Sequence, residues 1–230
     1  MISPLSPEQL EAIRRFDTCT LANAIETFEM RLRNEGYCDS TVRCLFPRFS
    51  PMLGYAATVK IRCAGPPPDG HSYLERTDWW NYILSLPPPR VVVIQDVDGH
   101  PGGGAFVGEV HCQILLALDC AGAVTNGAVR DLPTVEAAGF HLFAGSVSVS
   151  HSYAHIVEIG VPVEVGRLKI QSGDLLHGDC HGVLSIPVAI AAELPAIAAR
   201  IVEKERKLIA LCRSGDFSLE KLRHAVKGAS

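Results

Sequence analysis

The stretch from Gly102 to Asp131 restricts the fold of this chain more than any other. It opens with a glycine-rich turn, Gly102-Gly103-Gly104-Ala105-Phe106-Val107-Gly108-Glu109, and closes on Asn126-Gly127-Ala128-Val129-Arg130-Asp131. The run Val91-Val92-Val93-Ile94 before it reads as a buried strand. Val110 to Ala121 has the length and composition of a helix, and Ala123 to Val129 reads as a second strand. Strand, turn, helix and strand make a βαβ unit, which brings the helix N-terminus and the end of the second strand to one edge of a parallel sheet. Backbone N–H groups of Gly108, Glu109, Val110 and His111 are expected to point outward there, where they suit an anion. Arg130 adds a planar fork that fits a carboxylate, and Asp131 a hard oxygen ligand for a divalent cation. Taken alone, such glycines are most often just a turn and such an Arg-Asp pair a solvated surface pair.

The flanking chain supplies further elements. Ser6-Pro7-Glu8-Gln9 is a helix start, with Ser6 as N-cap and Gln9 closing a capping box, and the helix is expected to run to about Phe16. Leu21, Ala24, Ile25 and Phe28 have the spacing of a second amphipathic helix over Thr20 to Phe28. Arg31 to Pro51 lacks a pattern and reads as a long surface connection. Gly54 to Cys63 alternates as a strand, and Ser72 to Leu86 reads as a helix carrying Trp79 and Trp80. Beyond Asp131, Thr134 to Ala138 is a short helix and Phe140 to Phe143 a strand. Three more strands are expected at Pro162 to Ile170, Asp174 to His177 and Gly182 to Ile186. A long helix follows from Ala189 to about Arg213, kinked at Pro195, and Ser218 caps a final short helix. No repeat or linker interrupts the chain. The expectation is one domain over residues 1–230, with helices at 6–28 and 189–228 packed on a core at 53–187.

Composition removes several function classes. A net charge of -4, with only 21 Lys and Arg among 230 residues, gives no basic footprint for nucleic acid. No window approaches about 18 uninterrupted apolar residues, and the N-terminus lacks a basic segment followed by an apolar core, so a cytoplasmic location without a membrane partner is expected. The eight cysteines include no C-x-x-C pair and fall mostly in apolar runs, which suggests reduced, mostly buried thiols, with Cys38 and Cys44 the ones expected at the surface. His151 and His155 are four apart but have no evident third ligand. The glycines match neither a P-loop nor G-x-G-x-x-G, no G-x-S-x-G elbow or evident Cys-His pair offers a nucleophile, and none of the six lysines lies in the Gly102–Asp131 stretch. A metal is the electron sink that remains.

Gly108-Glu109, the helix after it and Asn126-Gly127-Ala128-Val129-Arg130-Asp131, followed by Ser172-Gly173-Asp174 and Gly178-Asp179-x-x-Gly182-Val183, resemble the RraA-like family from about Leu21 to the C-terminal helices. That family includes 4-hydroxy-4-methyl-2-oxoglutarate aldolases, which also decarboxylate oxaloacetate, and the regulator of ribonuclease activity A. The resemblance implies an α/β fold of the swivelling β/β/α type and a homotrimer or dimer of trimers with sites between protomers. It also implies a metal-dependent lyase that cleaves a 4-hydroxy-2-oxo acid to pyruvate. The alternative it carries is a non-catalytic binding protein of the ribonuclease-regulator type. Such regulators lack the carboxylate beside the Arg, so Asp131 favours the enzyme.

Residue by residue, the resemblance assigns the substrate carboxylate to the amides of the Gly108-Glu109-Val110-His111 turn and the keto oxygen or developing enolate to Arg130. Asp131 would hold Mg²⁺ or Mn²⁺, partly through waters. Glu109 joins Arg130 and Asp131 among the catalytic residues, and Glu205 or Glu203 of a neighbour's long helix would supply a further acid. The sequence departs from the family at Asn126, where Asp is frequent, at Thr134, near a frequent acidic residue, and at His111, where small or aliphatic side chains are frequent.

Overall fold

Four parallel strands form the frame, and the computed structural model describes them within residues 4–68 and 76–227. β2 (Met52–Arg62), β3 (Arg90–Asp96), β5 (Cys120–Val129) and β6 (His141–Val147) lie in the order β6-β5-β3-β2, all parallel. β2 is buried along nearly its whole length, as a strand covered on both faces must be. β10 (Leu175–Asp179) continues the sheet antiparallel to β2, and β11 (Gly182–Ile186) follows as its hairpin partner. At the other edge β1 (Arg43–Cys44) pairs with β6.

The segment between Tyr37 and Cys44 ties the two edges together. Tyr37 bridges Leu184 of β11, and the Cys38 N–H donates to the Val183 carbonyl at 2.9 Å, while Arg43 and Cys44 pair with β6. The sheet therefore curls into a nearly closed barrel. Val91 and Val93 point into it and Val92 and Ile94 out of it, the period-two alternation of a strand. A hairpin of β8 (Val163–Val165) and β9 (Leu168–Ile170) adds Val163, Val165, Leu168 and Ile170 to the inner cluster.

Two helical groups cover the outside. α3 (Thr77–Leu84), α4 (Glu109–Ala117) and α5 (Leu132–Ala137) bury Trp79, Ile83, Cys112, Leu115 and Val135 against the outward side chains of β2, β3 and β5. α1 (Pro7–Arg14), α2 (Thr18–Glu26) and α7 (Leu194–Arg213) share a second cluster with Leu53, Tyr55, Leu175 and Ile186. The Ser6–Gln9 capping box is present, with Gln9 N–H donating to Ser6 Oγ at 3.3 Å and Ser6 N–H to Gln9 Oε1 at 2.8 Å. Asp17 caps α2, accepting from Thr20 N–H at 2.7 Å, so that helix begins before Thr20.

Several expectations change. α4 stops at Ala117 because Cys120 already pairs with Arg90 of β3. The supposed kinked helix is two helices, α6 (Val188–Ala191) and α7, with Pro195 in the first turn of α7, where its missing N–H costs no helical bond. Pro162 to Ile170 is the β8–β9 hairpin rather than one strand, turning through Gly166 and Arg167, both with positive φ. The glycine turn contains β4 (Ala105–Val107), which pairs with β5, and β7 (His155–Ile159) pairs with β2. Arg31 to Pro51 is a closing segment of the barrel, so Cys38 is buried and Cys44 half-buried; the exposed thiols are Cys19, Cys180 and Cys212. The expected helix start at Ser72 lies outside the described residues. α8 (Leu219–Lys227) follows Ser218, whose Oγ accepts from Lys221 N–H at 3.2 Å.

Candidate active site

β5 ends where three segments are stitched together. Arg130 N–H donates to the Val107 carbonyl at 2.9 Å, and Ser148 N–H to the Val129 carbonyl at 3.0 Å. Asp131 then takes a left-handed conformation, φ 56° and ψ 38°, which Asp tolerates better than most residues, and it heads α5. This turn swings its carboxylate back over the start of α4. Asp131 Oδ2 accepts from Glu109 N–H at 2.9 Å and lies 3.3 Å from Arg130 Nε. Gly108 permits that approach: a Cβ there would stand 2.5 Å from Asp131 Oδ2 and 3.0 Å from Arg130 Cγ.

The structure thus brings Gly108, Glu109, Arg130 and Asp131 into one cluster, at the edge where the βαβ pattern places them. It also corrects one expectation. The Glu109 amide faces Asp131 rather than outward, so it is not free to bind a substrate carboxylate in this arrangement. Val110, the second residue of α4, has an amide without a partner in its own helix, and its side chain is exposed. The His111 ring is buried, with Nδ1 3.0 Å from the Phe106 carbonyl and its plane edge-on to the Phe106 ring at 4.7 Å. Burial, opposed by the Phe106 hydrogen bond, pushes the His111 pKa down to about 4. Its side chain is therefore a neutral core group beneath the cluster.

The donor set suits a hard dication. Both contacts of the half-exposed Asp131 carboxylate fall on Oδ2, and Oδ1 has no hydrogen bond among the described residues. Mg²⁺ and Mn²⁺ keep several waters, so one carboxylate can serve as their protein ligand. The groups of three potential metal ligands among the described residues lie elsewhere, at Cys63, Asp96 and Asp98 and at Asp179, Cys180 and His181.

Glu205 and Glu203 are exposed on α7, which packs on α1 and α2 in the cluster away from α4 and α5. Within one chain neither joins Arg130 and Asp131. Glu203 already pairs with Arg206 at 2.8 Å and Lys207 at 3.8 Å. Asn126 serves the frame of the sheet. Its Oδ1 accepts from Asp96 N–H at 2.8 Å and its Nδ2 donates to the Asp96 carbonyl at 2.9 Å, locking β5 to β3. Thr134 Oγ1 donates to the Asp131 carbonyl at 3.0 Å. Sequence reasoning missed Asp96, whose Oδ2 accepts from Gly102 N–H at 2.8 Å and sets the path of the glycine turn. An acid at the end of an apolar strand was the signal that could have found it.

The chain matches the RraA-like family, described as Aldolase/RraA, over residues 18–185. It belongs to that family. A protein of Halalkalibacterium halodurans named provisionally as a 4-hydroxy-4-methyl-2-oxoglutarate aldolase is 34% identical over 100 residues, 43% of this chain, and the match spans 47% of that protein. An uncharacterized protein of Methanocaldococcus jannaschii is 34% identical over 68% of this chain and 71% of its own length. Among solved structures, a Pseudomonas syringae protein superposes with a TM-score of 0.75 at 24% identity, covering 96% of this chain and 95% of that one. Streptomyces coelicolor RraAS2, described as an unusual member of the RNase ES inhibitor RraA family, gives 0.69 at 19% identity over 93% of this chain and all of the other. These likenesses establish the RraA-like α/β fold with its long C-terminal helix. The family holds both aldolases and ribonuclease regulators. Among the described residues, no helix is long and apolar enough to cross a membrane.

Proposed function

We propose that the protein is a divalent-metal-dependent lyase that cleaves a 4-hydroxy-2-oxo acid to pyruvate and also decarboxylates oxaloacetate. The observation that carries this reading is the cluster of Arg130, Asp131 and the α4 N-terminus at Gly108, held by the 2.9 Å bond from Glu109 N–H to Asp131 Oδ2. Asp131 Oδ1 would hold Mg²⁺ or Mn²⁺, and the bound cation supplies Lewis-acid polarisation of the 2-oxo group. The Val110 amide and the positive end of α4 receive the substrate carboxylate. Arg130 uses Nε on Asp131, and its Nη groups, without a partner among the described residues, orient the keto oxygen and balance the negative charge that grows there when the carbon–carbon bond breaks. Glu109 from this chain and Glu205 from a neighbouring protomer are the carboxylates assigned to move the 4-hydroxyl proton.

That last assignment requires a trimer or dimer of trimers with sites between protomers. Val110, Val147 and Val149 are 62%, 55% and 99% exposed, and Val147 directly precedes Ser148, which bonds to the end of β5. An apolar rim beside a polar cluster suits a protomer interface. The test is pyruvate release from oxaloacetate and from 4-hydroxy-2-oxo acids, coupled to lactate dehydrogenase, with and without chelator. Release that requires Mg²⁺ or Mn²⁺ is expected. Metal-independent release would overturn the mechanism, and no release from any 2-oxo acid would favour the ribonuclease-regulator class.

A further inference from the structure

Cys180 and His181 form the two-residue turn between β10 and β11, whose ends are the paired Asp179 and Gly182. Turns this short ordinarily take Gly, Asn or Asp for their backbone demands, which account for neither a thiol nor an imidazole. Asp179, immediately before the turn, is a buried carboxylate. Its Oδ2 accepts from Thr18 N–H at 2.8 Å, at the start of α2, and its Oδ1 accepts from His181 N–H at 2.8 Å. His181 Nδ1 lies 3.0 Å from Asp179 Oδ1 and 3.5 Å from Cys180 Sγ. The three potential ligand atoms all fall within 4.8 Å of one another. Ligands held at roughly 2.0–2.3 Å by a tetrahedral ion stand under about 4 Å apart, so small side-chain rotations at two exposed residues close the set.

A second element faces the turn. Thr18, the first residue of α2, donates its N–H to the Asp179 carboxylate, so the helix start lies against the ligand set. A cation bound there takes up the carboxylate charge and displaces the Cys180 thiol proton. Thiolate, imidazole and carboxylate together select a borderline-soft ion of the zinc class over Mg²⁺ or Ca²⁺.

We propose that Asp179, Cys180 and His181 bind a zinc-class divalent cation, with solvent completing its shell, at a site separate from the Asp131 carboxylate. The ion would fix the β10–β11 turn and the Asp179 carboxylate that ties it to Thr18 of α2, 161 residues away in sequence. Because the unfolded chain holds no such set, binding stabilises the fold by linkage.

The test uses the full chain stripped of metal and titrated with Co²⁺, which reports thiolate ligation by a near-ultraviolet charge-transfer band. One equivalent is expected to produce that band with visible absorption of a tetrahedral ion. Cys180→Ser and His181→Ala should each abolish it. Asp131→Asn should leave it unchanged, which separates this site from the proposed lyase site. Cys180 and His181 are exposed, so the variants should fold, and circular dichroism checks that they do. Absence of the band on adding Co²⁺, or its persistence at full strength in Cys180→Ser, would overturn the proposal.

Discussion

The Asp131 carboxylate and the Glu109 amide, 22 residues apart, meet through a 2.9 Å hydrogen bond that joins the end of β5 to the first turn of α4. The bond fixes the carboxylate through Oδ2 and leaves Oδ1 without a hydrogen bond among the described residues. An anion at a helix N-terminus is favoured by the helix dipole, so the α4 start is a suitable place for this carboxylate.

Asp131→Asn is therefore expected to separate folding from function. Asn tolerates the left-handed backbone and its side-chain oxygen can still accept the Glu109 N–H, so the unfolding temperature should move little. The formal charge that holds a hard dication is lost. Mn²⁺ affinity should fall strongly, and pyruvate release should drop by roughly a thousandfold or more, the cost of several kcal/mol of Lewis-acid stabilisation. Mn²⁺ titration and the coupled assay read the two effects, and near-normal metal-dependent turnover in a folded variant would remove Asp131 from the site.

Gly108→Ala probes the same cluster from the other side. The new methyl would sit 2.5 Å from Asp131 Oδ2 and 3.0 Å from Arg130 Nε, so both side chains must move. Overpacking of this kind costs about 1–3 kcal/mol, and displacement of Asp131 should lower Mn²⁺ affinity along with turnover. A variant with unchanged stability, metal affinity and turnover would show that the close approach is incidental.

Much of this site was legible in the sequence because its parts are local. Gly108 and the Arg130-Asp131 pair lie on one βαβ unit, whose geometry is set by short-range patterning. The capping box at Ser6 was equally readable, since a four-residue stretch contains all its chemistry. The barrel closure was not. Tyr37 reaches Leu184 and Cys38 reaches Val183 through backbone groups, which leave no mark on side-chain periodicity. That is why Cys38 read as a surface thiol. The tie between the Cys180–His181 turn and α2 escaped for a related reason: Thr18 N–H reaches Asp179 Oδ2 only when α2 packs on β10 and β11.

The buried His111 makes acid stability a measurable consequence of the fold. Burial holds it neutral, with a pKa of about 4 against the ordinary 6.5, while the unfolded chain protonates near the ordinary value. Between these values the unfolded state binds more protons, so this contribution is fully present above pH 6.5 and is lost progressively as the pH falls toward 4. The unfolding temperature should decline across that window. His111→Phe keeps a planar ring against Phe106 and removes the titration, so its melting profile should be flatter there, whatever its absolute stability. An equal slope in the two proteins would assign the acid sensitivity to other groups.

Glu205 gives the sharpest test of a site shared between protomers. On α7 it is exposed, and it makes no hydrogen bond or ion pair among the described residues, whereas Glu203 is committed to Arg206 and Lys207. Glu205→Gln should accordingly leave the unfolding temperature of the chain unchanged. If it moves a proton at a neighbour's Arg130–Asp131 cluster, turnover should fall by about a hundredfold, the lower bound for a positioned general acid or base, with little change in pyruvate binding. Glu203→Gln should weaken two surface pairs and leave turnover nearly intact. Mixing Asp131→Asn chains with Glu205→Gln chains decides the matter. Either variant alone is nearly inactive, but a mixed oligomer would contain interfaces with an intact Asp131 from one protomer and an intact Glu205 from the next, so activity should reappear. Failure of mixed oligomers to regain activity, with light scattering confirming that subunits have exchanged, would remove Glu205 from the chemistry.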